Sequence, residues 1–283
     1  MQLSSSSSKK RPVVTFLTDF GSADGYVGVM KGVVLSISAD VQLVDITHDV
    51  APQHIASSAW LLSTSYRYFP SETIHVCVVD PGVGSVRRPI AMHAGDWFFV
   101  GPDNGLFSYV LAEQPLHEVV TLSNPAYHRE QISSTFHGRD VFSPVAAHIA
   151  NGVALSELGP RVDPSTLHRI DVEPPQLQDE KIVAHIVHVD HFGNLISNIP
   201  FSLVPDLFTG PAVRLAFPAQ GIIVSRRQRF FADQTATEEE AKLPFIYVDS
   251  SGYIAVALQN GNAAKMLGVA YDTAITLVTL HSR

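Results

Sequence analysis

VVTFLTDFGSADGYVGVMKGVVLSISADVQLVDIT, residues 13–47, reads as strand, helix, strand. Val13 to Asp19 is an apolar run that ends in a carboxylate, as a buried strand does. Val27, Met30, Val34 and Ile37 then recur at helical spacing. Gly28 and Gly32 on that helix predict close packing against a neighbour. VQLVDIT returns to strand character. Downstream, Pro52 predicts a helix start, because its missing N–H costs nothing in a first turn, with Ile55, Ala59, Leu62 and Tyr66 on the buried face. TIHVCVVD, residues 73–80, is a third apolar strand, and PIAMHAGDWFFVG reads as a hairpin turning at Gly95-Asp96. A helix after Asp140 buries Val141, Val145 and Ile149 and ends at Asn151-Gly152. Strands alternating with helices imply an α/β layer around a mostly parallel central sheet.

The pattern changes near Val172. VEPPQLQDEK is Pro-rich and polar and reads as a linker. Beyond it come short strands separated by turn residues: KIVAHIVHV, NLISNI, AVRLAF, GIIVS, FIYVD, YIAVAL and AITLVTL. That succession predicts an all-β barrel or sandwich. The expected organisation is a disordered tail over 1–12, an N-terminal α/β domain over 13–172, a linker over 173–180 and a C-terminal β-barrel domain over 181–283. The acidic run ATEEEAK reads as a solvated loop.

Composition sets the limits. The 283 residues are 46% hydrophobic and 16% charged, a globular balance. Lys+Arg is 19 against 27 Asp+Glu, for a net charge of -8, which argues against a nucleic-acid or anionic-membrane surface. Cys77 is the single cysteine and sits in an apolar run, so it reads as a core residue and not as a nucleophile. No stretch approaches a membrane span, and the serine-rich N-terminus lacks the apolar segment of a signal peptide, so the expected location is cytoplasmic.

In an open parallel sheet, functional residues gather just past the carboxyl ends of strands. Asp19, Asp45 with Asp49, and Asp80 occupy such ends in successive connections. A single strand-end Asp is often a cap or turn residue; three along one sheet edge are harder to dismiss. The loop DPGVGSVRR, from Asp80, offers a glycine-rich turn and two arginines but is neither a P-loop nor a dinucleotide fingerprint. His137, in TFHGRD, lies in a glycine-adjacent loop opening a helix. His185, His188 and His191 are spaced by three, which on a strand puts neighbours on opposite faces, so they make no metal site. HVDHFGNLISN and DSSGYIAVALQNGNAA read as polar, partly aromatic edges suited to a heterocycle.

Seven motifs in order carry a family resemblance: LTDFGSADGYVGVMKG, DITHDVAPQ, VVDPGVGSVRR, GPDNGLFS, TFHGRDVFSPVAAH, DHFGNLISNI and SSGYIAVALQNGNAA. From about Val13 to the C-terminus the chain resembles the S-adenosyl-L-methionine (SAM) hydroxide adenosyltransferases. These are adenosine-forming SAM hydrolases related to fluorinase and chlorinase. The resemblance implies an α/β domain followed by a β-barrel. It also implies a homotrimer, with SAM held between the N-domain of one subunit and the C-domain of the next. The substrate is SAM, the products are adenosine and L-methionine, and no cofactor or metal is implied. The family's hydrolytic set maps onto Asp80, Arg87 and His137. The halogenating relatives carry Tyr at the positions of Asp80 and His137, so a halide-using adenosyl transferase is the weaker reading.

The resemblance further implies that Asp19 holds the ribose hydroxyls and that Asp24 and Asp190 accept the methionine ammonium. By the same resemblance Asn194 reads adenine with Phe192 packing nearby, and Ser250 contacts the methionine carboxylate. Ser251 stands where the halogenases have Arg, Gln53 replaces an aromatic residue of fluorinase, and Asp249 replaces a common Asn.

The implied chemistry is in-line attack of a water-derived oxygen on C5′ of SAM, expelling neutral methionine. The magnitudes argue against a standing hydroxide made by His137 alone. Water at pKa about 15.7 and His at about 6.5 differ by roughly 9 units, about 12 kcal/mol. Either proton loss goes in step with attack, or Arg87 and the sulfonium stabilise the developing oxyanion. Asp80 is expected to orient Arg87 and the water, Arg87 to stabilise charge and His137 to serve the proton, and the sequence leaves open which of them takes it. The rival readings are a protein that binds adenosine or SAM without turnover, the halide-using transferase, and a phosphate-ester hydrolase built on the Gly/Arg loop.

Overall fold

The computed structural model describes residues 11–171, 173–179, 181–231 and 239–280, and the chain divides after Asp171 into two compact units. Of the expected 1–12 tail, residues 1–10 lie outside the described residues. Arg11 and Pro12 are placed: Arg11 pairs with Asp40, and the Pro12 carbonyl accepts from Gln42 N.

The first unit is built on six strands: β1 (Val13–Thr18), β2 (Gln42–Thr47), β3 (Ile74–Val78), β4 (Pro89–Ala94), β5 (Trp97–Pro102) and β6 (Leu116–Thr121). Their order is β2-β1-β3-β5-β4-β6, and β4 alone runs against its neighbours. The mostly parallel sheet is therefore as expected. Its helices are α1 (Tyr26–Ile37), α2 (Ile55–Ser63), α3 (Ser108–Glu113), α4 (Ser143–Ala150) and α5 (Leu155–Leu158).

The period-2 alternation of a strand sorts the core into two layers. Val14 and Phe16 of β1 and Val76 of β3 pack with Met30 and Val34 of α1 and Val145 and Ala146 of α4. Leu17 of β1 and Cys77 of β3 pack on the opposite face with Leu62 of α2 and Val110 of α3. Helices thus cover both faces, which is why β1 and β3 read as unbroken apolar runs. The chain leaves β1 toward β2 on one side and returns to β3 on the other. The gap between the carboxyl ends of β1 and β3 is thus the topological switch point of the sheet.

Three local expectations are corrected. A Cβ at Gly28 or Gly32 would meet nothing within 4 Å, so neither glycine packs closely against another of the described residues of this chain. The second helix starts at Ile55 and not at Pro52, because Gln53 adopts φ +65 and His54 caps the helix by accepting from Ser57 N. The stretch read as a linker contains a strand, β7 (Gln176–Gln178), that turns through Asp179 onto the start of β8 (Lys181–Val189).

The second unit continues with β9 (Leu195–Pro200), β10 (Ala212–Phe217), β11 (Ile222–Val224), β12 (Phe245–Val248), β13 (Tyr253–Ala257), the short α6 (Ala263–Leu267) and β14 (Ala274–Leu280). The antiparallel order is β11-β10-β14-β8-β9-β13-β12, with β7 alongside β8. Ile246 of β12 bonds back to the segment after β11, accepting from Gln228 N at 3.0 Å and donating to Arg226 O at 2.8 Å. The sheet is nearly closed, and the expected barrel is borne out. Leu195, Leu215, Phe217, Ile254 and Leu277 fill its interior. Of ATEEEAK, residues 236–238 lie outside the described residues, and Glu240–Lys242 form a short 3-10 turn.

Candidate active site

Cys77 lies fully buried in β3, and burial raises its thiol pKa beyond any nucleophilic role. The chain then emerges at Asp80, whose side chain is only 4% exposed. Asp80 is held by Arg87: Nε donates to Oδ1 at 3.0 Å, and Nη2 donates to Oδ2. A bidentate arginine–carboxylate pair fixes both groups in one plane. The loop between them is cramped at one of its glycines; at Gly82 a Cβ would make only ordinary contact with Arg87 Cγ, at 3.4 Å. Gly84, at φ +76, lies where a Cβ would collide with the carbonyl oxygen of Ser134. The DPGVG turn and the loop before His137 are therefore packed backbone to backbone.

That contact brings His137 to Arg87: Nη2 and the imidazole Nδ1 are 2.8 Å apart. Arginine carries only donors. Nδ1 is therefore the acceptor, and the neutral ring holds its proton on Nε2. Burial and the Arg87 charge hold the His137 pKa below its ordinary value, against the opposing pull of Asp80 and Asp140. His137 is thus neutral near pH 7 and presents an N–H, while its one lone pair is taken.

The backbone after His137 is a π-turn over Gly138–Phe142, with Ser143 N reaching back to Gly138 O. Such turns concentrate at functional sites. Asp140, in this turn, is fully buried. It takes Arg139 Nε at 2.7 Å and Ser133 N at 2.8 Å, and Arg129 Nε lies 3.5 Å away. These contacts fold the 129–137 loop over the turn and lower the Asp140 pKa against the cost of burial.

Asp19 follows β1, one residue past Thr18, which stands opposite Val78 of β3. Asp19 and Asp80 therefore flank the switch point. Asp19 Oδ2 accepts from Gln53 N at 2.7 Å. Asp24 is exposed in the bend leading to α1. Phe20, Tyr26 and Phe136 pack edge to face at centroid distances of 5.3–6.0 Å beside the His137 loop.

The second unit carries the other expected residues in two turns of one design. Asp190 Oδ1 accepts from Phe192 N and Asn194 N at 2.9 and 2.8 Å, and Gly193 sits at φ +83. Asp249 Oδ1 accepts from Ser251 N and Tyr253 N at 3.0 and 2.7 Å, and Gly252 sits at φ +85. Both read D-x-x-G-x, and in both the carboxylate organises its own turn. Asp190 Oδ2 also accepts Asn194 Nδ2 at 2.7 Å, and Asn194 is buried. Phe192 is 72% exposed, with its ring face available for stacking. Ser250 is exposed in the second turn. Burial raises the Asp249 pKa.

Sequence reasoning gave no role to Asn104, which donates to the Val79 carbonyl at 2.9 Å and so braces the residue before Asp80. It gave none to Asp140 either. Both lie inside quoted motifs, GPDNG and TFHGRD, and that was the available signal.

Two family models cover most of the chain. The SAM hydroxide adenosyltransferase N-terminal domain matches residues 14–159, and the SAM hydroxide adenosyltransferase C-terminal domain matches residues 184–276. The chain belongs to the SAM hydroxide adenosyltransferase family. Among curated relatives, the (R)-S-adenosyl-L-methionine hydrolase of Salinispora tropica is 38% identical, with 91% of this chain and 94% of that one covered. The enzyme of the same name from Thermus thermophilus is 34% identical, over 92% and 96%. A fluorinase of Nocardia brasiliensis stands further off at 28%, over 91% and 92%. Among solved structures, an uncharacterized conserved protein from Thermotoga maritima matches with a TM-score of 0.85 at 32% identity, over 94% of this chain and 99% of that one.

Proposed function

We propose that this member of the family hydrolyses SAM at C5′, giving adenosine and L-methionine. The observation that carries this reading is the bonded set Asp80–Arg87–His137, beside the switch point of the sheet. The hydrolases at 33–38% identity support it over the more distant fluorinases.

A water oxygen forms a bond to C5′ as the C5′–S bond breaks, and the sulfur keeps the electron pair as a neutral thioether. No acid is needed at the leaving group, and no Lewis acid is called for. Alignment is the main contribution, worth about 7–11 kcal/mol in favourable cases. His137 contributes its Nε2–H as a donor that holds the water oxygen, with Arg87 setting the ring. As the new C–O bond forms, the oxygen becomes a far stronger acid than a carboxylic acid. A carboxylate is base enough to take a proton from such an oxygen, and Asp80 takes it late. His137 is spared that task because accepting a proton would cost it the bond to Arg87.

Asp19, past β1, holds the ribose diol with its carboxylate. In the second unit Asn194 reads adenine, with Phe192 packing on the ring, and Asp190 and Ser250 meet the methionine end together with Asp24 of the first. The working molecule is a homotrimer in which these two sets come from different subunits. The exposed Tyr26 and Val86 beside the His137 and Arg87 loops support this reading.

The test is chromatography of SAM incubated with pure protein in chloride-free buffer, and again with chloride or fluoride. Equal amounts of adenosine and methionine in every arm are expected. A 5′-halo-5′-deoxyadenosine would make it a halide-using transferase. Unconsumed SAM with tight adenosine binding would make it a binding protein.

A further inference from the structure

His48 closes β2 in the motif DITHD and has no part in the chemistry above, yet it touches both flanks of Asp19. On one side, Thr18 Oγ1 lies 2.9 Å from His48 Nδ1. On the other, Gly21 N donates to the His48 carbonyl at 2.8 Å. The ring itself is lodged. Its Nε2 lies 3.0 Å from Asp45 Oδ1, and Asp45 Oδ2 takes Lys31 Nζ of α1 at 2.6 Å.

The direction of the Thr18 bond follows from these neighbours. A carboxylate beside Nε2 favours the tautomer with the proton there. Nδ1 is then the acceptor and the Thr18 hydroxyl the donor. The hydroxyl oxygen in turn accepts from Phe20 N at 3.3 Å, so hydrogen bonds run from His48 through Thr18 to the backbone just past Asp19, while Asp45 stands beside Nε2 as a neighbouring charge without a hydrogen bond to it. Asp19 has one further tether, Gln53 N on Oδ2.

We propose that His48 is a positioning residue for the nucleoside: through Thr18 and Gly21 it fixes the Asp19 carboxylate where a vicinal diol docks. This rests on the reading of Asp19 as the ribose ligand. A ribose contact made equally in ground and transition states weighs on affinity and not on turnover.

Calorimetry with adenosine, which needs no turnover, tests the proposal. His48→Gln keeps an N–H near Asp45 but offers Thr18 no acceptor. His48→Asn places a carbonyl oxygen near the Nδ1 position. His48→Gln is expected to weaken adenosine by about fivefold to tenfold, the weight of one hydrogen bond, and His48→Asn to restore most of it. Binding of 2′,3′-dideoxyadenosine, which lacks the diol, should differ less than about twofold between wild type and His48→Gln. With SAM, His48→Gln should raise KM and leave kcat nearly unchanged.

Equal weakening of both nucleosides, or unaltered adenosine binding in His48→Gln, overturns the proposal. Asp19→Asn is measured alongside. If it leaves adenosine affinity unchanged, or if wild type fails to bind adenosine, the ribose reading falls and takes this proposal with it. If Asp19→Asn weakens binding and His48→Gln does not, only the role of His48 falls.

Discussion

Arg87 donates to two acceptors that want different things from it. Asp80 offers a carboxylate and gains a fixed plane, while His137 gives up its lone pair and is left as a donor. The two roles predict different mutational behaviour. Arg87→Ala and His137→Ala should each lose turnover by more than about tenfold while still binding SAM, the range for lost acid–base and electrostatic assistance. His137→Gln keeps an amide N–H and should recover part of that loss. Single-turnover rates check this, and a His137→Gln variant as inactive as His137→Ala would instead make the imidazole the base. Arg87→Lys should not rescue Arg87→Ala, because an ammonium cannot make the planar pair with Asp80 and reach Nδ1 as well.

At the scale of elements, the site depends on two loops meeting. Gly84 is the point of contact, with a left-handed φ and no room for a Cβ beside the Ser134 carbonyl. Gly84→Ala should therefore part the loops and lose turnover about as severely as Arg87→Ala, while the melting temperature falls by only a few degrees. Turnover close to wild type in Gly84→Ala would show that the contact does not set the Arg87–His137 distance. The elements that place these loops were legible in the sequence for a physical reason. β1 and β3 are buried on both faces, so their apolar runs are unbroken, and α1 and α4 carry clear helical spacing. β7, α3 and α6 span three, six and five residues, too few for a period to register. Even so, Asn262 and Gly268 bracket α6 as cap residues and were its visible signal. The Arg87–His137 and Thr18–His48 bonds join residues 50 and 30 positions apart in the chain. No local pattern encodes them.

For the whole molecule, buried histidines contribute to the acid limb of stability. His75, inside β3, bonds Thr15 Oγ1 through Nδ1 and stacks on Phe99, and burial pushes its pKa down to about 3. An unfolded histidine titrates near 6.5. Between those values the unfolded chain binds the proton and the native chain does not, so stability falls as pH drops from 6.5 toward 3. One such group contributes a slope of at most about 1.4 kcal/mol per pH unit. Burial also lowers His93, His128 and His148, which adds to the same limb. Urea unfolding at pH 7.5 and 4.5 should show a smaller loss in His75→Phe than in wild type; parallel losses would contradict this. Sedimentation equilibrium should give three times the chain mass, and a monomer that hydrolyses SAM would remove the case for a shared site.

The central claim is that water supplies the 5′-oxygen of adenosine. Hydrolysis of SAM in ¹⁸O-labelled water, followed by mass spectrometry of the nucleoside, tests it most directly. Adenosine carrying one ¹⁸O at C5′, with unlabelled methionine, is the expected result. Unlabelled adenosine, or a nucleoside that retains the sulfur, would contradict attack of water at C5′.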